Sequence, residues 1–102
     1  MIHVIAVITS NPGMRENILT HFRANIPAVK AEAGCHEYTA IVDADSTAVF
    51  QTRLGPDTFI VSEKWETMDA LHAHAAAPHV ANYLIRTKPF VASKVIHILT
   101  VA

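Results

Sequence analysis

The chain has 102 residues, of which 51% are hydrophobic and 17% charged, with a net charge of −1. This length holds one hydrophobic core and not two, so a single domain over residues 1–102 is expected. A near-neutral chain without a basic run gives no basis for binding nucleic acid or an acidic membrane surface, and no apolar stretch is long enough to span a bilayer. So apolar a small chain cannot hide its whole hydrophobic surface as a monomer, which points to self-association.

Ile2 to Thr9 is apolar and β-branched and ends in Ser-Asn-Pro-Gly, the pattern of a strand. The N-terminal run lacks a basic start and a small-residue cleavage site, so it reads as a strand and not a signal peptide. Its apolar residues do not alternate with polar ones, as expected of a strand covered on both faces. Asn11-Pro12 suits a helix start, with Asn as cap and Pro in the first turn. Met14, Ile18, Phe22, Ile26 and Val29 then form one helical stripe. Pro27 should weaken its last turn, and Gly34 should end it.

Cys35 to Val42 reads as a second strand. Cys35 is the only cysteine; no intramolecular disulfide is possible, which fits a reducing, cytoplasmic setting. Asp43 to Thr47 reads as a turn, Ala48 to Arg53 as a short edge strand and Leu54 to Asp57 as a loop. Thr58 to Trp65 is a further strand. Thr67 caps a helix over about Met68–Ala76, Pro78 opens another to about Thr87, and Phe90 to Val101 is the last strand. The order is β-α-β-β-α-β with a split second helix: an α+β, ferredoxin-like chain whose four-stranded antiparallel sheet carries its helices on one face. The other face would be apolar and bare, and pairing two such faces would give a two-fold homodimer.

Chemistry concentrates in KWETMDALHAHAAAPH, residues 64–79, which holds three of the seven histidines just after the only tryptophan. His72 and His74 are two apart on a helix, so their side chains diverge by about 200°. With no cysteine or paired carboxylate to complete a ligand set, no metal site is expected. His72 projects to solvent. His74 lies three residues after Leu71, on the buried stripe, where it is either a core histidine bonded to a backbone carbonyl or a proton-transfer group in a cavity wall. Phe59, Val61, Glu63 and Trp65 share one face of their strand. A carboxylate in that company needs a partner or a raised pKa, unless it is an ion pair at a sheet edge. His36 and Tyr38 fall on one face of the second strand, and Asn82 and Tyr83 lie on the last helix beside Val80 and Leu84. Together these residues would furnish an apolar cavity with a few polar groups, the usual form of a small-molecule site. There is no phosphate-binding glycine loop, no dinucleotide fingerprint and no nucleophile elbow. Cys35 and His36 are adjacent on a strand and face opposite ways, so they form no nucleophile pair.

VIAVITSNPG, EAGCHEY, IVDADSTAVFQT, PDTFIVSEKWET, ALHAHAAAPHVANY and KVIHIL carry a resemblance that runs nearly end to end. The E-x-G-C-x-x-Y, E-x-W-E and A-H-x-x-x-P-H elements, in that order and spacing, resemble the antibiotic biosynthesis monooxygenase family, and within it the small bacterial quinol monooxygenases. The resemblance implies a dimeric α+β barrel of ferredoxin-like subunits that oxidises quinols or phenols with O₂ and needs neither metal nor organic cofactor. Trp65 matches a pocket tryptophan of the aromatic polyketide monooxygenases, but Val61 and Leu71 stand where those enzymes have Asn and Tyr. His74 and Leu84 stand where the haem-degrading members have Trp and His, which argues against haem degradation. Read together with this resemblance, His74 is expected to be the proton acceptor or anion partner. Trp65, Tyr38, His36, His79, Asn82 and Tyr83 become pocket residues around a small aromatic substrate. Two alternatives use the same fold: an isomerase of a small phosphorylated metabolite, for which Lys64, Arg86 and Lys88 are the available cations, and a non-enzymatic dimer that binds small aromatics.

Overall fold

The computed structural model describes all residues from 1 to 102. Strand β1 (Ile2–Ser10) leads into helix α1 (Arg15–Lys30), then strands β2 (Cys35–Ile41) and β3 (Thr58–Trp65). Helices α2 (Met68–Ala75) and α3 (Pro78–Thr87) follow, with a 3₁₀ turn at Lys88–Phe90 before β4 (Val91–Leu99). The strands form one antiparallel sheet in the order β2-β3-β1-β4, so β1 and β3 are central and β2 and β4 are edges. This is the ferredoxin-like arrangement expected from the order of elements.

Register decides which side chains meet the helices. Val4 pairs with Glu63, Ala6 with Val61 and Ile8 with Phe59, while Tyr38 stands opposite Glu63 on β2. Paired residues share a sheet face, so these seven point together toward the helical layer, where all are buried. Helix α1 supplies Ile18, Leu19, Phe22 and Val29 to the same core. Phe22 is its hub: it stacks on Tyr38 at 4.8 Å and meets Phe59 and Tyr83 edge-on at 6.4 and 6.3 Å. Such aromatic pairs add about 0.5–1.5 kcal/mol each beyond the area they bury.

The opposite face holds Ile5, Val7 and Ile60 with Val95, Leu99 and Ile41 and has no helix over it. Val95, Leu99 and Ile41 are about half exposed. The bare apolar face inferred from composition is therefore present in the single chain. No helix is long and apolar enough to cross a membrane.

Three local expectations are corrected. Helix α1 begins at Arg15 and not at Pro12; residues 11–13 form a turn, closed by Met14 N–H donating to the Asn11 carbonyl, with Gly13 at φ +76°. Asn11 does not cap the helix, since its side-chain amide donates to the Pro89 carbonyl instead. Residues 48–53 are not a strand. The segment satisfies its polar groups locally: Asp43 accepts from the Leu54 and Gly55 amides, and Arg53 donates to the Ser46 carbonyl. Its tip leaves Val49 and Phe50 fully exposed.

Candidate functional site

The site is built where α2, α3 and the end of α1 close over β2 and β3. Thr67 stands in extended conformation before α2, and its hydroxyl accepts from the Ala70 amide at 3.1 Å, satisfying one of the free N–H groups of the first turn. That start fixes the helix phase, which turns Leu71 and His74 inward. Ala77 is extended because Pro78 follows it. The chain therefore breaks and restarts as α3, with Val80 and Thr87 buried and Tyr83 packed against the core.

His74 is the centre of the arrangement, with only 9% of its side chain exposed. Its ring lies against Trp65 at 4.6 Å and edge-on to Tyr38 at 5.6 Å. Nδ1 is hydrogen-bonded to Glu32 Oε2 at 2.8 Å. Nε2 lies 3.8 Å from Glu63 Oε1, beyond hydrogen-bond range. A carboxylate on Nδ1 holds the proton there and leaves the Nε2 lone pair free to accept one. Of the two readings open from sequence, the core histidine bonded to a backbone carbonyl is not what the structure shows.

Glu63 is buried in the middle of the sheet, not paired at its edge. Trp65 Nε1 donates to Glu63 Oε1 at 2.8 Å. Burial pushes the Glu63 carboxyl above its ordinary pKa and Glu32 adds to the rise, while the Trp65 hydrogen bond and His74 oppose it. Burial also raises both tyrosines: Tyr83 is pushed up to about 12, and Tyr38, with Glu63 and Glu32 nearby, is raised strongly as well. Both phenols therefore stay neutral donors at physiological pH.

These groups face a cavity of about 310 Å³, near the lower end of the ~300–1,000 Å³ typical of small-molecule sites. Fifteen residues line it, and only Glu63, His72 and His74 are not hydrophobic. No lysine or arginine reaches it. Val4, Ala6 and Ile8 form its floor, and Leu71, Val80 and Leu84 its helical side. It opens toward Ile96 and Ile98 of edge strand β4, each more than half exposed.

Tyr38, His74 and Tyr83 are on the cavity wall as the sequence led us to expect; the other four residues are placed elsewhere. Trp65 is fully buried behind His74, supporting the wall without lining it. His36 sits in a register irregularity of β2, where Cys35 pairs with Trp65 but Glu37 with Lys64. The extra residue breaks the alternation that would have put it beside Tyr38, and His36 meets Glu66 near the surface instead. Asn82 is exposed, because two residues from buried Val80 a helix has turned about 200°. His79 lies outside the cavity and bonds to Glu32 Oε2 at 3.0 Å. His72 is exposed but borders the cavity mouth.

Glu32 is the residue that sequence reasoning missed. It lies between α1 and β2, where no periodicity marks it. Gly34 brings it in: at φ +79° this residue lets the connection pass so close to α2 that a Cβ there would lie 2.8 Å from the Ala70 Cβ. The signal was present, since Glu32 heads the E-x-G-C-x-x-Y element. No group of three or more histidine, cysteine, aspartate or glutamate side chains is arranged to hold a metal ion.

Residues 1–84 match the model of the antibiotic biosynthesis monooxygenase family. The chain belongs to that family. It is 38% identical over 85 residues to the "Probable quinol monooxygenase YgiN" of Escherichia coli (strain K12), covering 81% of each protein. A solved structure from Pseudomonas aeruginosa superposes with a TM-score of 0.80 at 25% identity, over 99% of this chain and 93% of that one. One from Mycobacterium tuberculosis gives 0.80 at 22% identity, over 99% and 94%, and bears on the fold alone.

Proposed function

We propose that the chain is a cofactor-independent monooxygenase that oxidises a quinol or related phenolic aromatic with O₂. The observation that carries this reading is His74. It is a buried imidazole, oriented by Glu32 through Nδ1, with a free Nε2 on the wall of an otherwise apolar cavity. A neutral aromatic enters by apolar burial. Its hydroxyl gives a proton to His74 Nε2, and the resulting anion is held by the phenol O–H groups of Tyr38 and Tyr83. Low local dielectric strengthens those contacts.

The electron-rich anion then reduces O₂ directly, and a carbon–oxygen bond forms on the ring. The reaction closes without another reductant. A hydroquinone and one O₂ give a hydroxyquinone and one water, with all four electrons drawn from the substrate. The other oxygen atom leaves as water with the two hydrogens the substrate has lost, one net from the ring carbon and one net from its hydroxyl groups. The chain's contribution is to bind, deprotonate and exclude bulk water.

The homodimer belongs to this proposal, because its closure would cover the bare sheet face. A phosphorylated substrate is disfavoured, as the cavity presents no cation to a phosphate. Oxygen uptake on adding a reduced naphthoquinol to metal-free protein tests the reading. Uptake above the autoxidation of the buffer supports it; uptake at the autoxidation rate for several quinols refutes it.

A further inference from the structure

We propose that Glu32 and His79 form a relay that carries the proton taken up by His74 between the cavity and solvent. This rests on the reading of His74 as the base. Its first support is geometric. One oxygen, Glu32 Oε2, is shared between two rings, with His74 Nδ1 at 2.8 Å on the inner side and His79 Nε2 at 3.0 Å on the outer.

The second support is a gradient of exposure along the same path. The side chains are 9% exposed at His74, 14% at Glu32 and 30% at His79. The third is chemical. An imidazole can take a proton at one ring nitrogen while it releases one from the other, so each ring can pass charge through without moving.

Glu63 does not offer the same exit. It lies on the cavity wall, its Oε1 is engaged by Trp65, and it stands 3.8 Å from His74. The other titratable groups close to Glu32 are the Cys35 thiol and the Tyr38 phenol on β2 and the Glu63 carboxyl on β3.

The step balances as acid–base chemistry. The substrate O–H bond breaks as the His74 Nε2–H bond forms. The Nδ1 proton passes to Glu32 Oε2, then to His79 Nε2 once that ring has shifted its resting proton from Nε2 to Nδ1 through water, and the Nδ1 proton leaves to water. The oxidation later needs protons for the departing water. Running the relay inward supplies one and restores both rings. No oxidant beyond O₂ is required, and without the relay a buried imidazolium would wait beside a desolvated anion.

The test compares wild-type protein with His79→Ala, His79→Gln and Glu32→Gln, following quinol-dependent oxygen uptake in weak and strong buffers. His79→Gln keeps a donor to Glu32, and Glu32→Gln keeps an acceptor for His74, so both preserve the hydrogen-bonded tie but conduct no proton. Each variant should lose at least about tenfold in kcat with little change in KM, a smaller loss than the ~10²–10⁴ of removing a direct base. Added imidazole should restore the His79 variants in a saturable way and leave the wild type unchanged. His79 variants with wild-type kcat, or a slow rate that imidazole does not raise, would overturn the relay. A thermal melt separates that result from misfolding, because His79→Gln should melt near wild type. Absence of uptake by the wild type itself would instead overturn the proposed function, and the relay with it.

Discussion

Replacing Trp65 with phenylalanine removes the one donor that reaches the buried Glu63 carboxyl, while keeping an aromatic ring in the core. Trp65 is fully buried and its Nε1 is 2.8 Å from Glu63 Oε1. A hydrogen bond to an ionised group contributes about 1.5–3 kcal/mol, against roughly 0.5–1.5 kcal/mol between neutral groups. The smaller ring adds a packing loss of about 1 kcal/mol, comparable to other modest core truncations and independent of pH. The expected destabilisation is thus about 2.5–4 kcal/mol where Glu63 is ionised and about 1.5–2.5 kcal/mol where it is protonated.

The sign of the pH dependence follows from linkage. Burial raises the folded-state pKa of Glu63 above its ordinary value. Between the unfolded and folded values, the folded state therefore holds more protons. Stability from this group is fullest below the unfolded pKa and falls as pH rises through the folded one. Loss of the Trp65 donor lifts the folded value further and widens that window. Urea unfolding of wild type and Trp65→Phe at pH 4 and pH 8 measures the effect. The destabilisation should be larger at pH 8 by about 1 kcal/mol. Repeating the pair in a Glu63→Gln background isolates the contribution of the Glu63 carboxyl, and the difference should vanish there. Equal destabilisation at both pH values with Glu63 present would refute the claim that Trp65 holds a buried carboxylate.

Glu63→Gln alone should raise the melting temperature near neutral pH, because it removes the group that burial disfavours when charged; an unchanged or lower melting temperature at pH 8 would count against it. Gly34→Ala should destabilise by about 1–3 kcal/mol, since the residue sits at φ +79° and the new Cβ meets Ala70; denaturant midpoints read this directly. His74→Ala should slow quinol-dependent oxygen uptake by ~10²–10⁴ in kcat, and an unchanged rate would remove His74 from the role of base. Tyr83→Phe should leave the fold intact and weaken turnover or binding by about fivefold, the effect of one lost hydrogen bond of about 1 kcal/mol; steady-state kinetics with one quinol decide it.

The parts of this molecule legible in the sequence are those set by local rules. Strand β3 and helix α3 fall at the expected residues because Thr58–Trp65 is β-rich between turn signals and Pro78 fixes a helix start. The inward phase of His74 followed from its spacing to Leu71 and the Thr67 cap. What escaped depends on pairing between distant segments. The extra residue at His36 is a property of the β2–β3 ladder and cannot be read from β2 alone. Residues 48–53 have strand-like composition, but Asp43 and Arg53 satisfy the backbone within the loop and no ladder forms. Glu32 belongs to no periodic pattern and reaches His74 only through the close approach that Gly34 permits. Trp65 was placed on the right face of its strand, but the depth of the core puts it behind the cavity wall.

The central claim is that the cavity inserts one oxygen atom of O₂ into a deprotonated aromatic. Turnover of a reduced naphthoquinol under ¹⁸O₂, with mass spectrometry of the product and an assay for peroxide, tests it most directly. The account predicts a hydroxyquinone that carries one labelled oxygen and little hydrogen peroxide. An unlabelled quinone formed with stoichiometric peroxide would contradict it, because it would make the reaction a two-electron oxidation with no oxygen transfer.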